Sequence, residues 1–62
     1  MEDDSLRERG RGYRLRAEEA RTAADTMRNP QSGAFLRRIT ADYDLLADLM
    51  ERRAARASGR AI

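Results

Sequence analysis

The chain of 62 residues contains no cysteine, no histidine, no tryptophan, no lysine and no valine, and only one proline. Without cysteine there is no disulfide staple, no thiolate nucleophile and no cysteine-based zinc site. Without histidine the commonest general base and the commonest metal ligand are missing. No apolar run approaches the roughly 20 residues needed to cross a membrane. The start, Met1-Glu2-Asp3-Asp4, is acidic where a signal peptide is cationic, so the expected location is cytoplasmic. The β-branched residues are few, Thr22, Thr26, Ile39, Thr40 and Ile62, which argues against strands. A chain of this length makes one domain at most and buries only about 60% of its unfolded surface.

What is present favours helices. Ala, Arg, Glu, Leu and Asp dominate, all of them compatible with helix. Charged residues make up 39% of the chain, yet the net charge is only +2, and the pI of about 9.9 reflects cations that are all arginine. High charge and a mean hydropathy of −0.87 also fit disorder, so the apolar pattern has to decide.

That pattern is organised around Asn29-Pro30, which reads as a helix N-cap followed by proline at the first helical position. The residue before a proline resists the α region, so an upstream helix is expected to end near Arg28. Downstream, Leu36, Ile39, Tyr43, Leu46 and Met50 are spaced 3, 4, 3, 4, the heptad seam of packed helices. Phe35, Leu45 and Leu49 widen the stripe, while Arg52, Arg53 and Arg56 suit a helix C-terminus, and Ser58-Gly59 is a natural stop. Asp48 and Arg52 form a well-oriented i,i+4 pair. Upstream, Tyr13, Ala17, Ala20, Ala24 and Met27 repeat the same spacing in small residues, and the series extends back through Gly10 to Leu6. Ser5-Leu6-Arg7-Glu8 fits a capping box, although Gly10 and Gly12 each cost about 1 kcal/mol relative to alanine in a helix. The expected fold is all-α: an antiparallel two-helix hairpin, with helix one over 5–28 starting at Ser5 or near Arg11, a turn at 29–30, helix two over 30–57 and a flexible tail at 58–62.

Folding the chain at the turn sets Met27 against Leu36, Ala24 against Ile39, Ala20 against Tyr43, Ala17 against Leu46, Tyr13 against Met50, Gly10 against Arg53 and Leu6 against Ala57. The charges then fall in blocks, acidic 2–8, basic 9–16, acidic 42–51 and basic 52–60, that largely face their opposites. The hairpin leaves apolar surface over, namely Phe35, Leu45 and Leu49 with Leu15 adjoining. A lone hairpin of this size is marginal. Self-association into a four-helix bundle or coiled coil, most simply a symmetric dimer, or docking of a helical partner protein covers that surface.

The stretch Tyr13-Arg14-Leu15-Arg16-Ala17-Glu18-Glu19-Ala20-Arg21-Thr22-Ala23-Ala24, then Asn29-Pro30, then Phe35-Leu36-Arg37-Arg38-Ile39-Thr40-Ala41-Asp42-Tyr43-Asp44-Leu45-Leu46-Ala47, resembles small uncharacterised α-helical hairpin proteins of rhizobia and related α-proteobacteria. Their pattern is Y-R-x-x-A-E-E-x-R-x-x-A, a turn with Asp-Pro or similar, then L-x-x-[IL]-A-x-x-Y-x-x-L-A. Here Thr40 stands one place before the usual Ala, and Asn29 replaces the frequent Asp. The resemblance spans about 35 residues. It implies a helical hairpin and no particular activity.

Catalytic candidates are sparse. Ser5, Ser32 and Ser58 have no histidine, cysteine or lysine to activate them, and Ser5 and Ser32 stand where caps and turns favour serine. Asp42, Asp44, Asp48 and Glu51 form the one carboxylate cluster. Asp44 and Asp48, four apart, share a face that suits a hard cation, but pairing with Arg14 or Arg52 accounts for them more simply. No enzyme, cofactor or metal is expected. The alternative function is nucleic-acid binding through Arg9, Arg11, Arg14 and Arg16 with Arg52, Arg53 and Arg56, since arginine pairs with phosphate and stacks on bases; acidic neighbours and the low net charge weigh against it. A membrane-surface role is opposed by the acidic centre of helix two. The expected function is therefore a non-enzymatic protein-interaction or regulatory module.

Overall fold

The computed structural model describes residues 2–60, with side chains from 4 to 59. Two helices account for nearly all of it, α1 (Glu2–Thr26) and α2 (Pro30–Arg60), and there is no strand among the described residues. They run antiparallel as a slender rod of 51 × 13 × 11 Å.

The turn forms as its residues dictate. The Asn29 side-chain oxygen accepts from Gln31 N at 2.8 Å and from Ser32 N at 3.4 Å, and its carbonyl accepts from Gly33 N at 3.0 Å. Asn29 is thus the N-cap of α2, and Pro30, with no N–H to orphan, begins the helix. α1 ends at Thr26, two residues short of the expected Arg28. Its last turn tightens, with Met27 N donating to Ala24 O at 3.2 Å and the Thr26 hydroxyl donating to Ala23 O at 3.0 Å. The connection is residues 27–29 alone.

The outer ends differ from the expectation. α1 already spans Ser5, so Ser5 is inside the helix and not its cap, and Gly10 and Gly12 are helical. α2 passes through Ser58-Gly59 to Arg60 because Gly59 does not take the left-handed conformation that would stop it. Arg7 of α1 reaches across to the Ser58 hydroxyl at 3.5 Å, so both helices extend to that end of the rod. Of the expected flexible tail, Ala61 and Ile62 lie outside the described residues, as do the expected pairings of the Glu2 and Asp3 side chains with Arg60.

The interior is built almost entirely from small residues. On α1 the buried positions are Gly10, Ala17, Ala20 and Ala24; on α2 they are Gly33, Thr40, Ala47, Met50 and Ala54. Ala17 is 1% exposed, and Ala47 and Ala54 are 0% exposed. A small residue recurs every seventh position on both helices: Gly10, Ala17, Ala24 and Gly33, Thr40, Ala47, Ala54. Between them Tyr13, Leu36 and Tyr43 are half-buried, and the tyrosine rings stack with centroids 6.1 Å apart and an interplanar angle of 26°. The backbones come close enough that a methyl added at Gly10 would lie 3.6 Å from the Ala47 carbonyl oxygen and 3.6 Å from Met50 Cβ. Thr40 fits the seam because its hydroxyl donates back to Leu36 O at 3.0 Å, which satisfies its polar atom within its own helix. The same oxygen lies 3.5 Å from Ala17 O on the other helix, a measure of how near the two chains run.

α2 therefore turns a different stripe inward from the one its bulky residues suggest. Leu36, Tyr43 and Met50 face α1 as expected, but Thr40 and Ala47 replace Ile39 and Leu46. Ile39 is half-buried at the edge, and Leu46 is 38% exposed. Met27, at the turn, is also exposed. A branched C4 side chain does not fit where the backbones are this close, so the helix rotates to present its small residues. The register also lies nearer the turn, since the connection is so short. Ala24 meets Gly33 rather than Ile39, Ala17 meets Thr40 rather than Leu46, Tyr13 meets Tyr43 rather than Met50, and Gly10 meets Met50 rather than Arg53.

Two substitutions check this interior by thermal melting. Ala47→Leu inserts three carbons where no space exists and is expected to destabilise the hairpin by about 1–3 kcal/mol or more. Gly12→Ala, where an added methyl meets nothing within 4 Å, is expected to stabilise it by about 1 kcal/mol.

Candidate interaction site

The close seam leaves the rod with two long edges of opposite character. Both follow from helix geometry, because residues flanking the seam by one position on either side project to either edge.

One edge is a ladder of charge pairs. Arg14 holds three carboxylates of α2. Its Nη2 lies 2.7 Å from Asp48 Oδ1 and 2.9 Å from Glu51 Oε1, its Nε donates to Glu51 Oε2 at 3.2 Å, and its Nη1 lies 3.3 Å from Asp44 Oδ1. The two-pronged grip on Glu51 is the strong arginine–carboxylate geometry. The hydrogen bonds it donates to Glu51 and then to Asp48 push the Arg14 guanidinium above its already high value, so it stays charged at every ordinary pH. Arg21 adds a 3.3 Å contact to the other oxygen of Asp44, and Arg37 lies 3.7 Å from Asp25 near the turn. Asp48 thus pairs across the hairpin with Arg14, and no ion pair joins it to Arg52 among the described residues. The carboxylates suggested for a hard cation are occupied by arginine, and no metal-holding group of acidic residues exists among the described residues.

The other edge is apolar. On α2 the series Phe35, Ile39, Asp42, Leu46, Leu49, Arg53 runs along it with spacing 4, 3, 4, 3, 4, a second heptad line beside the first. On α1 the matching line is Arg9, Tyr13, Arg16, Ala20, Ala23, Met27, with the same spacing. Phe35 is 63% exposed, Leu49 42% and Met27 46%, while Ile39 and Ala23 are half-buried. A hairpin whose seam is built mostly on small residues leaves much of its large apolar surface in water.

The remaining residues singled out from the sequence distribute as follows. Leu45 is 68% exposed on the outer flank of this edge, where Leu45, Leu46 and Leu49 line one shallow depression with Asp48 and Arg52. Leu15 does not join them. Two residues from Ala17, it points away from α2 and borders Glu18, Glu19, Thr22 and Ala23 on the back of α1. Of the arginines suggested for nucleic acid, Arg14 is neutralised by its three partners. Arg11 shares a shallow surface with Arg7 and Glu51 on the charged edge, and Arg9 and Arg53 come together with Ser5 and Leu6 at the far end of the apolar edge. Arg16, Arg52 and Arg56 are exposed. The arginines are thus divided between the two edges and do not form one basic face.

The signal for the apolar edge was present in the sequence as the repeat of small residues seven apart. Reading for small residues instead of large ones puts Ile39 and Leu46 outside the seam and on the line with Phe35 and Leu49.

The charged edge has a measurable consequence. Arg14→Gln removes one partner from Asp44, Asp48 and Glu51 together and is expected to lower the melting temperature at low salt. The difference from the parent is expected to shrink toward zero in 1 M salt, because exposed charges are screened within about 3 Å there.

No described helix is long and apolar enough to cross a membrane. No family model matches the chain, and no match was found among curated proteins or solved structures.

Proposed function

We propose that this protein is a non-enzymatic helical interaction module that works by covering its apolar edge, through self-association into a four-helix bundle or through a helical partner. One observation carries the reading. The seam uses up the small residues, and the large ones, Phe35, Ile39, Leu46 and Leu49, form a line of heptad spacing on a single edge that the hairpin covers only in part. An amphipathic line at that spacing is what a facing helix recognises. Apolar burial at about 25 cal/mol per Å2 then supplies the stability that a seam of alanine and glycine lacks. The absence of histidine, cysteine and lysine, and the engagement of the clustered carboxylates by Arg14, support a role in binding and not in catalysis.

Light scattering tests the reading. The chain of 7.1 kDa is expected to run at twice that mass or more. Leu46→Asp and Leu49→Asp are expected to return it to the monomer mass while circular dichroism still reports helix. Leu15→Asp, on the back of α1, is expected to leave the mass of the parent unchanged. If all three variants behave alike, the apolar edge is not the interface.

A further inference from the structure

The apolar edge is interrupted by one charge of each sign in its middle, Arg16 on α1 and Asp42 on α2. In the register that pairs Ala17 with Thr40, these two stand at nearly the same height on the rod. Both are exposed, and neither takes part in an ion pair among the described residues, although every carboxylate pair on the other edge is matched with an arginine. In the part of that edge nearer the turn, Ala20 and Ala23 of α1 stand near the heights of Ile39 and Phe35, while farther along Tyr13 and Arg9 stand near the heights of Leu46 and Leu49.

We infer that a second copy of this chain covers the edge in a symmetric dimer whose two-fold axis runs along the rod, with both turns at the same end. The inference rests on the self-association reading above and adds its geometry. Rotation about the rod sets α1 of each copy against α2 of the other at equal height. Ala20 and Ala23 of one copy then lie against Ile39 and Phe35 of the second, so small meets large in the half of the interface nearer the turn, and Tyr13 lies against Leu46 beyond it. Arg16 of one copy meets Asp42 of the second, and the pair is made twice. Each hairpin thus presents both halves of a complementary pattern at one level, which is what self-recognition by this operation requires. A two-fold axis across the rod does otherwise. It sets α2 against α2 head to tail, facing Asp42 with Leu46 and α1 with itself so that Arg9 faces Arg16. That leaves a carboxylate against leucine and brings like charges together, both unfavourable. The aligned arrangement also gathers Arg9 and Arg53 of both copies, about seven residues short of the helix ends, where their exposed, long side chains can turn their charged heads to water.

The chain has no cysteine, so a single Gln31→Cys variant places one spin label at the exposed turn of each copy. In the aligned dimer the label-to-label distance is expected to be roughly 20 Å, about two helix diameters. Head-to-tail pairing with Asp42 facing Leu46 sets Gln31 at the height of Ala57 of the second copy and would give a distance of about 40 Å at 1.5 Å per residue, which would overturn the inference and leave self-association standing. A monomeric mass for the parent at 100 µM would overturn both. In parallel, Arg16→Asp and Asp42→Arg are each expected to weaken the dimer about tenfold or more, since each sets two like-charge contacts in place of two pairs. The double variant is expected to recover most of the parent affinity. A tighter dimer for Arg16→Asp alone is the mark of Arg9 facing Arg16, and rules out the aligned arrangement.

Discussion

Two helix backbones approach closely because one residue in seven on each of them has almost no side chain, and the rest of the molecule follows from that approach. Where Gly10, Ala17 and Ala24 run against Gly33, Thr40, Ala47 and Ala54, there is no room for leucine or isoleucine. The large residues are displaced sideways, the charges take the opposite edge, and the rod is narrow. Van der Waals contact between backbones and methyl groups is short-ranged, so such a seam holds only while every layer stays small. It also buries little apolar area, and the hairpin keeps its strongest hydrophobic groups unspent on the surface.

The two edges divide the work. Arg14 ties α1 to the middle of α2 through Asp44, Asp48 and Glu51, and Arg21 repeats the tie one step nearer the turn. Each exposed pair contributes little by itself. Together they distinguish the observed register from one slid by a heptad, which the alanine layers alone would scarcely do, because one small layer is much like the next. The apolar edge carries no such internal ties. The two charges in its middle, Arg16 and Asp42, lie outside the ladder on the other edge.

Much of this was legible in the residues. Asn29-Pro30 specified both the turn and the cap, because the side-chain oxygen and the missing N–H act locally. The spacing of Tyr13, Ala17, Ala20 and Ala24 gave the inner face of α1, and the alternating charge blocks anticipated Arg14 beside Asp48 and Glu51. The inner face of α2 was harder to read. Hydrophobic periodicity rewards bulk, and Ile39 and Leu46 fit the period as well as Thr40 and Ala47 do, one residue away. Which line faces inward depends on the distance between helices, a property of both helices together that neither segment reveals by itself. The helix ends were obscured for a simpler reason: Ser5 and Gly59 permit a boundary without enforcing one.

The seam has a further property that lies in the turn. The small residues are seven apart on each helix, but nine separate Ala24 from Gly33. At about 100° per residue that is two and a half turns. Were the chain to straighten through Asn29 and Pro30 into one long helix, the second half of the seam would emerge on the opposite side from the first. A straightened chain could not lay its whole seam against a single neighbour, so exchange of α2 between copies through a continuous helix is phased out by the spacing. The length of the connection, and not only its chemistry, thus favours the bent chain over the straight one.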